Sequence, residues 1–97
     1  MSDDDDITTL RVRIEGFVQA IGYRNFVIQK AQRLNLDGWV RNRSDGTVEA
    51  LISGDTKTVE AFVGACMRGP PGSQVKNVDL FKADPPEEKG FHRRPSV

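Results

Sequence analysis

The sequence predicts an α+β fold, in which a four-stranded antiparallel sheet carries two helices on one face. Four short segments alternate apolar and polar residues, as half-buried strands do. Two other segments repeat apolar residues every three or four positions, as amphipathic helices do. The order of these segments is β-α-β-β-α-β, and 97 residues suffice for one compact core.

A glycine-bounded loop separates the first predicted strand from the first predicted helix. Residues 10–15 alternate between apolar and charged side chains, which predicts a half-buried strand. Residues 16–22 form the loop. From 23 to 34 the apolar residues follow a helical period, which places them on one face of a helix. Asn35 suits the end of that helix, because asparagine tolerates the left-handed conformation.

A hairpin is predicted in the middle of the chain. Residues 37–43 form its first strand, and the large apolar side chain of Trp39 is expected in the core. Residues 44–46 are Ser-Asp-Gly, and Asp-Gly accepts positive φ at little cost, which favours a turn. Residues 47–53 complete the hairpin.

The second predicted helix begins after Asp55 or Thr56, either of which can serve as its N-cap. It ends near residue 68, before Gly-Pro-Pro-Gly at 69–72, and its apolar stripe includes Met67. The fourth strand covers 75–82. Residues 91–94 could add a short edge strand, which Pro95 would limit, so a fifth strand stays open.

Two helices that each have one apolar face must both cover the same face of the sheet. With right-handed crossovers, the economical arrangement is the ferredoxin-like split βαβ sandwich. That fold serves many functions, so it does not determine the activity. Residues 7–97 are expected to form this domain, and residues 1–6, which include four consecutive aspartates, to form a disordered acidic tail.

Composition excludes several classes of protein. Fourteen basic and fourteen acidic residues give zero net charge, unlike the basic footprint of a nucleic-acid binder. The single cysteine cannot form an intramolecular disulfide, and with a single histidine the chain lacks metal-site spacing. No apolar run approaches the roughly 20 residues of a membrane span. We therefore expect a cytoplasmic protein that binds no metal, nucleic acid or membrane.

The loop at 16–22 leads into Arg24, a combination that suits an anion. The first turn of a helix has unpaired N–H groups and a partial positive charge. Gly16 and Gly22 permit close backbone approach, and Arg24 adds a planar cation that can hold two phosphate oxygens. The alternative is an ordinary strand-to-helix loop with a surface arginine.

Asn42 lies on the first hairpin strand and has both donor and acceptor atoms in its amide. Such a group can hold a water molecule in line with a bound phosphorus atom. The alternative is a polar residue that simply flanks a turn.

Two motifs in the correct order resemble the acylphosphatase signature. Residues 18–24 are Val-Gln-Ala-Ile-Gly-Tyr-Arg, residues 36–42 are Leu-Asp-Gly-Trp-Val-Arg-Asn, and 45–49 continue the second motif as Asp-Gly-Thr-Val-Glu. The resemblance covers about residues 9 to 82. It implies a small ferredoxin-like enzyme that hydrolyses the carboxyl–phosphate bond of acyl phosphates and uses no cofactor.

The resemblance also implies roles for particular residues. Arg24 matches the arginine that binds the substrate phosphate, and Asn42 matches the asparagine that orients the attacking water. The phosphate cradle corresponds to the backbone amides of Gln19, Ala20, Ile21, Gly22 and Tyr23. Two of these residues depart from the family pattern, since Ala20 replaces a glycine and Tyr23 replaces a phenylalanine.

The expected partners are a small acyl phosphate substrate and, in the same site, inorganic phosphate or another small anion. The protein is expected to be a monomer. Two other functions stay open. A non-catalytic module of the same fold could hold phosphate, sulfate or carboxylate, and the same topology also serves RNA recognition, although the first strand lacks the aromatic residues that stack on bases.

Overall fold

The computed structural model describes residues 6–19 and 22–97. Within them it places five strands and two helices in the order β1 (Ile7–Phe17), α1 (Tyr23–Arg33), β2 (Asp37–Asn42), β3 (Val48–Asp55), α2 (Thr56–Arg68), β4 (Gln74–Lys82) and β5 (Phe91–Arg93). The strands form one sheet in the order β4-β1-β3-β2-β5. The predicted α+β ferredoxin-like fold is confirmed.

The sheet has five strands rather than the four predicted, because residues 91–93 form the edge strand that the sequence left open. Strand β5 pairs in parallel with β2, and Gly38 is opposite Phe91, so the sheet is mixed rather than wholly antiparallel. Phe91 is 5% exposed, and its ring centroid lies 6.3 Å from that of Phe62 on α2. Burial of this one aromatic ring holds a strand that is too short to show an alternating pattern.

The core lies between the two helices and one face of the sheet. Alternate residues of β1 and β3 face it, since Val12 and Ile14 pair in register with Ala50 and Val48 and all four are fully buried. Both helices contribute buried side chains to the same cluster, among them Tyr23, Val27, Ala31, Val59, Phe62 and Cys66. The opposite face of the sheet has no helix on it among the described elements.

Two predicted core residues lie elsewhere. Trp39 alternates with the buried Val40, so its half-buried ring lies on the open face of the sheet. There the guanidinium carbons of Arg41 and Arg94 lie 4.7 and 5.0 Å from the ring centroid. Met67 is 56% exposed rather than part of the apolar stripe of α2. Both predictions assumed that a large apolar side chain must be inside.

The helix ends agree with the local chemistry of the sequence. Asp55 is the N-cap of α2, and its carboxylate accepts a hydrogen bond from the Thr58 backbone N–H at 3.3 Å. Asn35, after α1, has φ 55°, the left-handed conformation that was predicted for it. No helix of the described residues is long and apolar enough to cross a membrane.

The predicted acidic tail lies almost entirely outside the described residues, which begin at Asp6. The carbonyl of Asp6 accepts a hydrogen bond from the Thr56 backbone N–H at 3.2 Å. The tail therefore stays a prediction for residues 1–5, whereas residue 6 is bonded to the start of α2.

Candidate active site

Two glycines shape the loop that leads from β1 to α1. A β-bulge interrupts the pairing of β1 with β4 between Glu15 and Gly16, and Gly16 has φ 134°. A Cβ atom at that position would lie 2.0 Å from the carbonyl oxygen of Gln74, so only glycine fits. Gly22 has φ 77° and turns the chain into α1. The loop enters the helix through two positions that disfavour any larger residue.

The N-terminus of α1 has no side chain that caps it. Gly22 is the N-cap and provides no side-chain hydrogen bond, and the first turn contains no acidic residue. The first intrahelical bond runs from the Phe26 N–H to the Gly22 carbonyl at 3.1 Å, which leaves the N–H groups of residues 23–25 to other partners. At α2, in contrast, Asp55 occupies this position. The start of α1 is therefore able to accept an external anion.

Arg24 lies beside a cavity of about 170 Å³ at this helix end. The cavity is lined by Gln19, Gly22, Tyr23, Arg24, Asn25 and Arg93. The Arg24 side chain is not hydrogen-bonded or ion-paired to any other described residue, and its residue is half-buried. Four larger surface cavities each have at least one carboxylate in their walls. Among the described residues, this small cavity has arginine side chains in its wall without a carboxylate.

The side chain of Gln19 joins this cavity to the β2–β3 hairpin. Its Nε2 donates to the carbonyl oxygens of Arg43 and Thr47, both at 2.8 Å. Two hydrogen bonds from one amide hold the loop against the turn that follows Asn42. The sequence predicted a role only for the Gln19 backbone. The two carbonyl acceptors, 24 and 28 residues away, give no local signal that could have revealed this bond.

Asn42 ends β2 opposite Val48, one residue before the carbonyl that Gln19 binds. Its backbone carbonyl accepts a hydrogen bond from the Val97 N–H at 3.0 Å. Its Oδ1 atom is buried, and no described residue donates a hydrogen bond to it. Buried amide oxygens are normally paired, so this atom is available to a water molecule or a ligand. Asn42 is not among the described residues that line the Arg24 cavity.

Tyr23 fastens the start of α1 to α2. Its hydroxyl donates to the Cys66 backbone carbonyl at 2.6 Å, and its residue is fully buried. Burial, with a smaller effect from Cys66, raises the pKa of the Tyr23 phenol above its usual range. Burial also raises the pKa of the Cys66 thiol to about 12. Both groups stay protonated at neutral pH, so their role is structural.

The structure describes some of the predicted site residues but not all of them. It brings Gln19, Gly22, Tyr23 and Arg24 to one cavity, and Gln19 bonds to the carbonyl of Arg43, the residue after Asn42. Ala20 and Ile21, also predicted in the phosphate cradle, lie outside the described residues. Over residues 6–19 and 22–97, no group of three or more His, Cys, Asp or Glu side chains could hold a metal ion.

A second group of arginines lies on the open face of the sheet, around Glu49. The carboxylate of Glu49 accepts hydrogen bonds from Arg11 at 3.3 Å, Arg41 at 2.8 Å and Arg43 at 3.1 Å, and its side chain is 5% exposed. Burial raises its pKa, but hydrogen bonds and charge from Arg41 and Arg43 outweigh that effect and hold the pKa below its usual range. Glu49 stays ionised and gives each of these three arginines an ionic partner.

Fold and site define a small α+β domain with an uncapped helix end beside an arginine, and comparison with known proteins specifies the family. The acylphosphatase family model matches residues 10–93. An acylphosphatase of Acidiphilium cryptum is 48% identical over 81 residues, which cover 84% of this chain and 89% of that protein. One from Rhodospirillum rubrum is 46% identical over 89 residues, 92% of this chain and 98% of its own length.

Solved structures agree with the sequence comparison. The acylphosphatase of Coxiella burnetii superposes with a TM-score of 0.86 at 31% identity, over 92% of this chain and 94% of that one. The chain belongs to the acylphosphatase family, which confirms the resemblance seen in its two motifs. It is an enzyme of that family, and its reaction is the hydrolysis of acyl phosphates.

Proposed function

We propose that Arg24 binds the phosphoryl group of a small acyl phosphate and that Asn42 orients the attacking water. The link made by Gln19 carries this proposal, since its two hydrogen bonds hold the cavity loop against the residue that follows Asn42. The cavity of about 170 Å³ supports a small substrate, because pockets for drug-sized ligands begin near about 300 Å³.

In the proposed complex, the phosphoryl oxygens lie at the N-terminus of α1. The backbone N–H groups at the start of the helix, with the loop amides from Gln19 to Tyr23, donate to two oxygens, and the Arg24 guanidinium donates to the others. No described carboxylate has to be displaced from Arg24 first. Inorganic phosphate or another small anion would occupy the same place.

The proposed chemical step needs no protein nucleophile. The Oδ1 atom of Asn42 accepts a hydrogen bond from water, whose oxygen attacks phosphorus as the bond from phosphorus to the acyl oxygen breaks. The acyl group leaves as a carboxylate, a good leaving group. The proton of the water passes to a phosphoryl oxygen, so the products are carboxylate and phosphate. Positioning and electrostatic stabilisation supply the rate enhancement.

Release of phosphate from benzoyl phosphate tests these roles. We expect Arg24→Ala and Asn42→Ala each to lower kcat by on the order of a hundredfold, as loss of one stabilising donor does elsewhere. Arg13→Ala is the matched control, because Arg13 pairs with Glu15 and Asp79 at 3.6 and 3.9 Å rather than lining the cavity. Near-normal turnover by both site variants would remove the assignment. The proposed mechanism also requires activity to survive a chelator.

The proposal includes a monomer that acts in the cytoplasm without a nucleic-acid or membrane partner. Zero net charge supports the absence of a nucleic-acid partner, and a lone cysteine that is buried and free suits a reducing compartment. Sedimentation equilibrium checks the monomer, and a dimer mass at micromolar concentration would contradict it. Cell fractionation with an antibody checks the compartment, and retardation of single-stranded RNA at low salt would contradict the absence of a nucleic-acid partner.

A further inference from the structure

Arg93 places a second guanidinium at the cavity that holds Arg24. It lies on β5, in register with Val40, and alternates with Phe91, so its side chain is directed to the same side of the sheet as that core ring. From there it reaches the N-terminus of α1. Its Nη2 donates to the side-chain oxygen of Asn25, and both side chains line the cavity.

The cavity offers a second cation beyond the one assigned to the phosphoryl group. Arg24 and the N-terminus of α1 already supply a cation and backbone donors. No carboxylate of the described residues forms an ion pair with Arg93, whose partner there is the neutral amide of Asn25. An arginine that is held in place but not neutralised attracts an additional negative charge.

Arg93 is more exposed than Arg24, which indicates a different role for it at the same cavity. Arg24 is half-buried, whereas Arg93 and Asn25 are exposed, which puts the Arg93 guanidinium at the rim of the cavity. With the phosphoryl group bound at the helix N-terminus, the acyl portion of the substrate extends towards this rim. A guanidinium there can pair with a carboxylate or phosphate on the acyl portion.

We infer that Arg93 is a specificity-determining residue, which favours acyl phosphates whose acyl portion carries a second negative charge. The inference rests on the proposed phosphate site at Arg24. It names a class of substrate: acyl phosphates of dicarboxylic acids or of phosphorylated carboxylic acids. Neutral acyl phosphates bind in the same site without the contact to Arg93.

Two aromatic acyl phosphates of nearly equal size test the inference. In 4-carboxybenzoyl phosphate the para group is anionic, and in 4-methylbenzoyl phosphate it is neutral. The para carboxylate cannot reach its own acyl carbon, and each hydrolysis is followed by ultraviolet absorbance. Each variant is compared with wild type on one substrate at a time, so that the different intrinsic reactivities of the two compounds cancel.

Arg93→Gln should lower kcat/KM about fivefold for the carboxylated substrate and less than twofold for the methylated one, as expected of an exposed ion pair. Arg93→Lys should restore most of the difference, because it keeps the charge. Arg94→Gln is the matched control, since the Arg94 guanidinium lies over Trp39, on the open face. Equal losses on both substrates, or no loss on either, would overturn the inference.

Salt gives a measurement that needs no variant. An exposed ion pair is screened when the salt concentration rises from about 0.05 to about 0.5 M. The wild-type preference for the carboxylated substrate should fall over that range, and a constant preference would count against Arg93 even if Arg93→Gln did not fold.

Arg24→Gln separates the two proposals, because full activity of that variant on the methylated substrate would refute the phosphate site itself.

Discussion

The two groups of arginines differ in what surrounds them. On the open face, Arg11, Arg41 and Arg43 all contact the buried carboxylate of Glu49. At the helix end, Arg24 and Arg93 line a cavity that has no carboxylate among its described residues. An arginine that already has an ionic partner stabilises the fold, whereas one without such a partner is available to a ligand. The absence of a carboxylate beside Arg24 and Arg93, rather than the number of cations, distinguishes the candidate site among the described residues.

Removal of the Glu49 carboxylate should have the largest effect on stability. Glu49→Gln leaves Arg11, Arg41 and Arg43 close together without a counter-charge, so we expect the free energy of unfolding to fall by about 2 kcal/mol. Urea denaturation at pH 7 measures it. Activity should fall far less than in Arg24→Ala, because Glu49 does not line the cavity and reaches Asn42 only through the flanking Arg41 and Arg43. A loss of activity as large as that of Arg24→Ala would mean that the two groups are not separate.

The same variant gives a pH dependence with a defined sign. The pKa of Glu49 is lower in the folded protein than the value of about 4.3 in an unfolded chain. Its contribution is therefore complete above about pH 4.3 and is lost as the pH falls towards the folded pKa. The stability difference between wild type and Glu49→Gln should be constant from pH 6 to 8 and shrink below about pH 4.3. A difference that grows on acidification would contradict this account.

A carboxylate placed in the cavity should make it resemble the open face. Asn25 lies in the first turn of α1 and contacts Arg93. Asn25→Asp adds a negative charge where the helix dipole favours one, so thermal stability should stay equal or rise slightly. Activity should nevertheless fall about tenfold, because the new carboxylate competes with the phosphoryl group. Gln29→Glu, exposed on the same helix, controls for net charge. Unchanged turnover by Asn25→Asp would weaken the comparison.

Phosphate should stabilise the protein through the cavity alone. At phosphate about five times above Kd, linkage predicts a gain of about 1 kcal/mol in the free energy of unfolding. Thermal shift with phosphate, against chloride at equal ionic strength, measures it. We expect Arg24→Gln to abolish the gain and Arg13→Gln to retain it. A gain that survives Arg24→Gln would place the anion elsewhere, for example on the open face.

The smallest expected effect concerns the hydrogen bond that fastens Tyr23, at the start of α1, to α2. Tyr23→Phe removes the hydroxyl that donates to the Cys66 carbonyl and leaves that buried acceptor unpaired, so stability should fall by about 1 kcal/mol. Activity should stay within about twofold of wild type, because the phenol has no part in the proposed step. Chemical denaturation and benzoyl phosphate hydrolysis measure the two effects. A large loss of activity without a loss of stability would give Tyr23 a chemical role.

Local features of the structure could be predicted from the sequence alone. The periods of two and 3.6 residues identified β1 to β4 and both helices, and Asp55 and Asn35 took the backbone roles that their side-chain chemistry favours. The motifs around Arg24 and Asn42 also identified the family. Each of these signals lies within a few residues of chain, where alternation, capping and glycine placement act.

Only the tertiary structure decided which distant residues meet. Burial of Phe91 against Phe62 added β5, and that strand brought Arg93 to the start of α1. Trp39 lies on the open face, although its size alone had suggested a place in the core. The Gln19 side chain donates hydrogen bonds to two carbonyls of the hairpin, those of Arg43 and Thr47. Such contacts depend on long-range packing, since one buried ring or one pair of carbonyl acceptors leaves no periodic trace in the sequence.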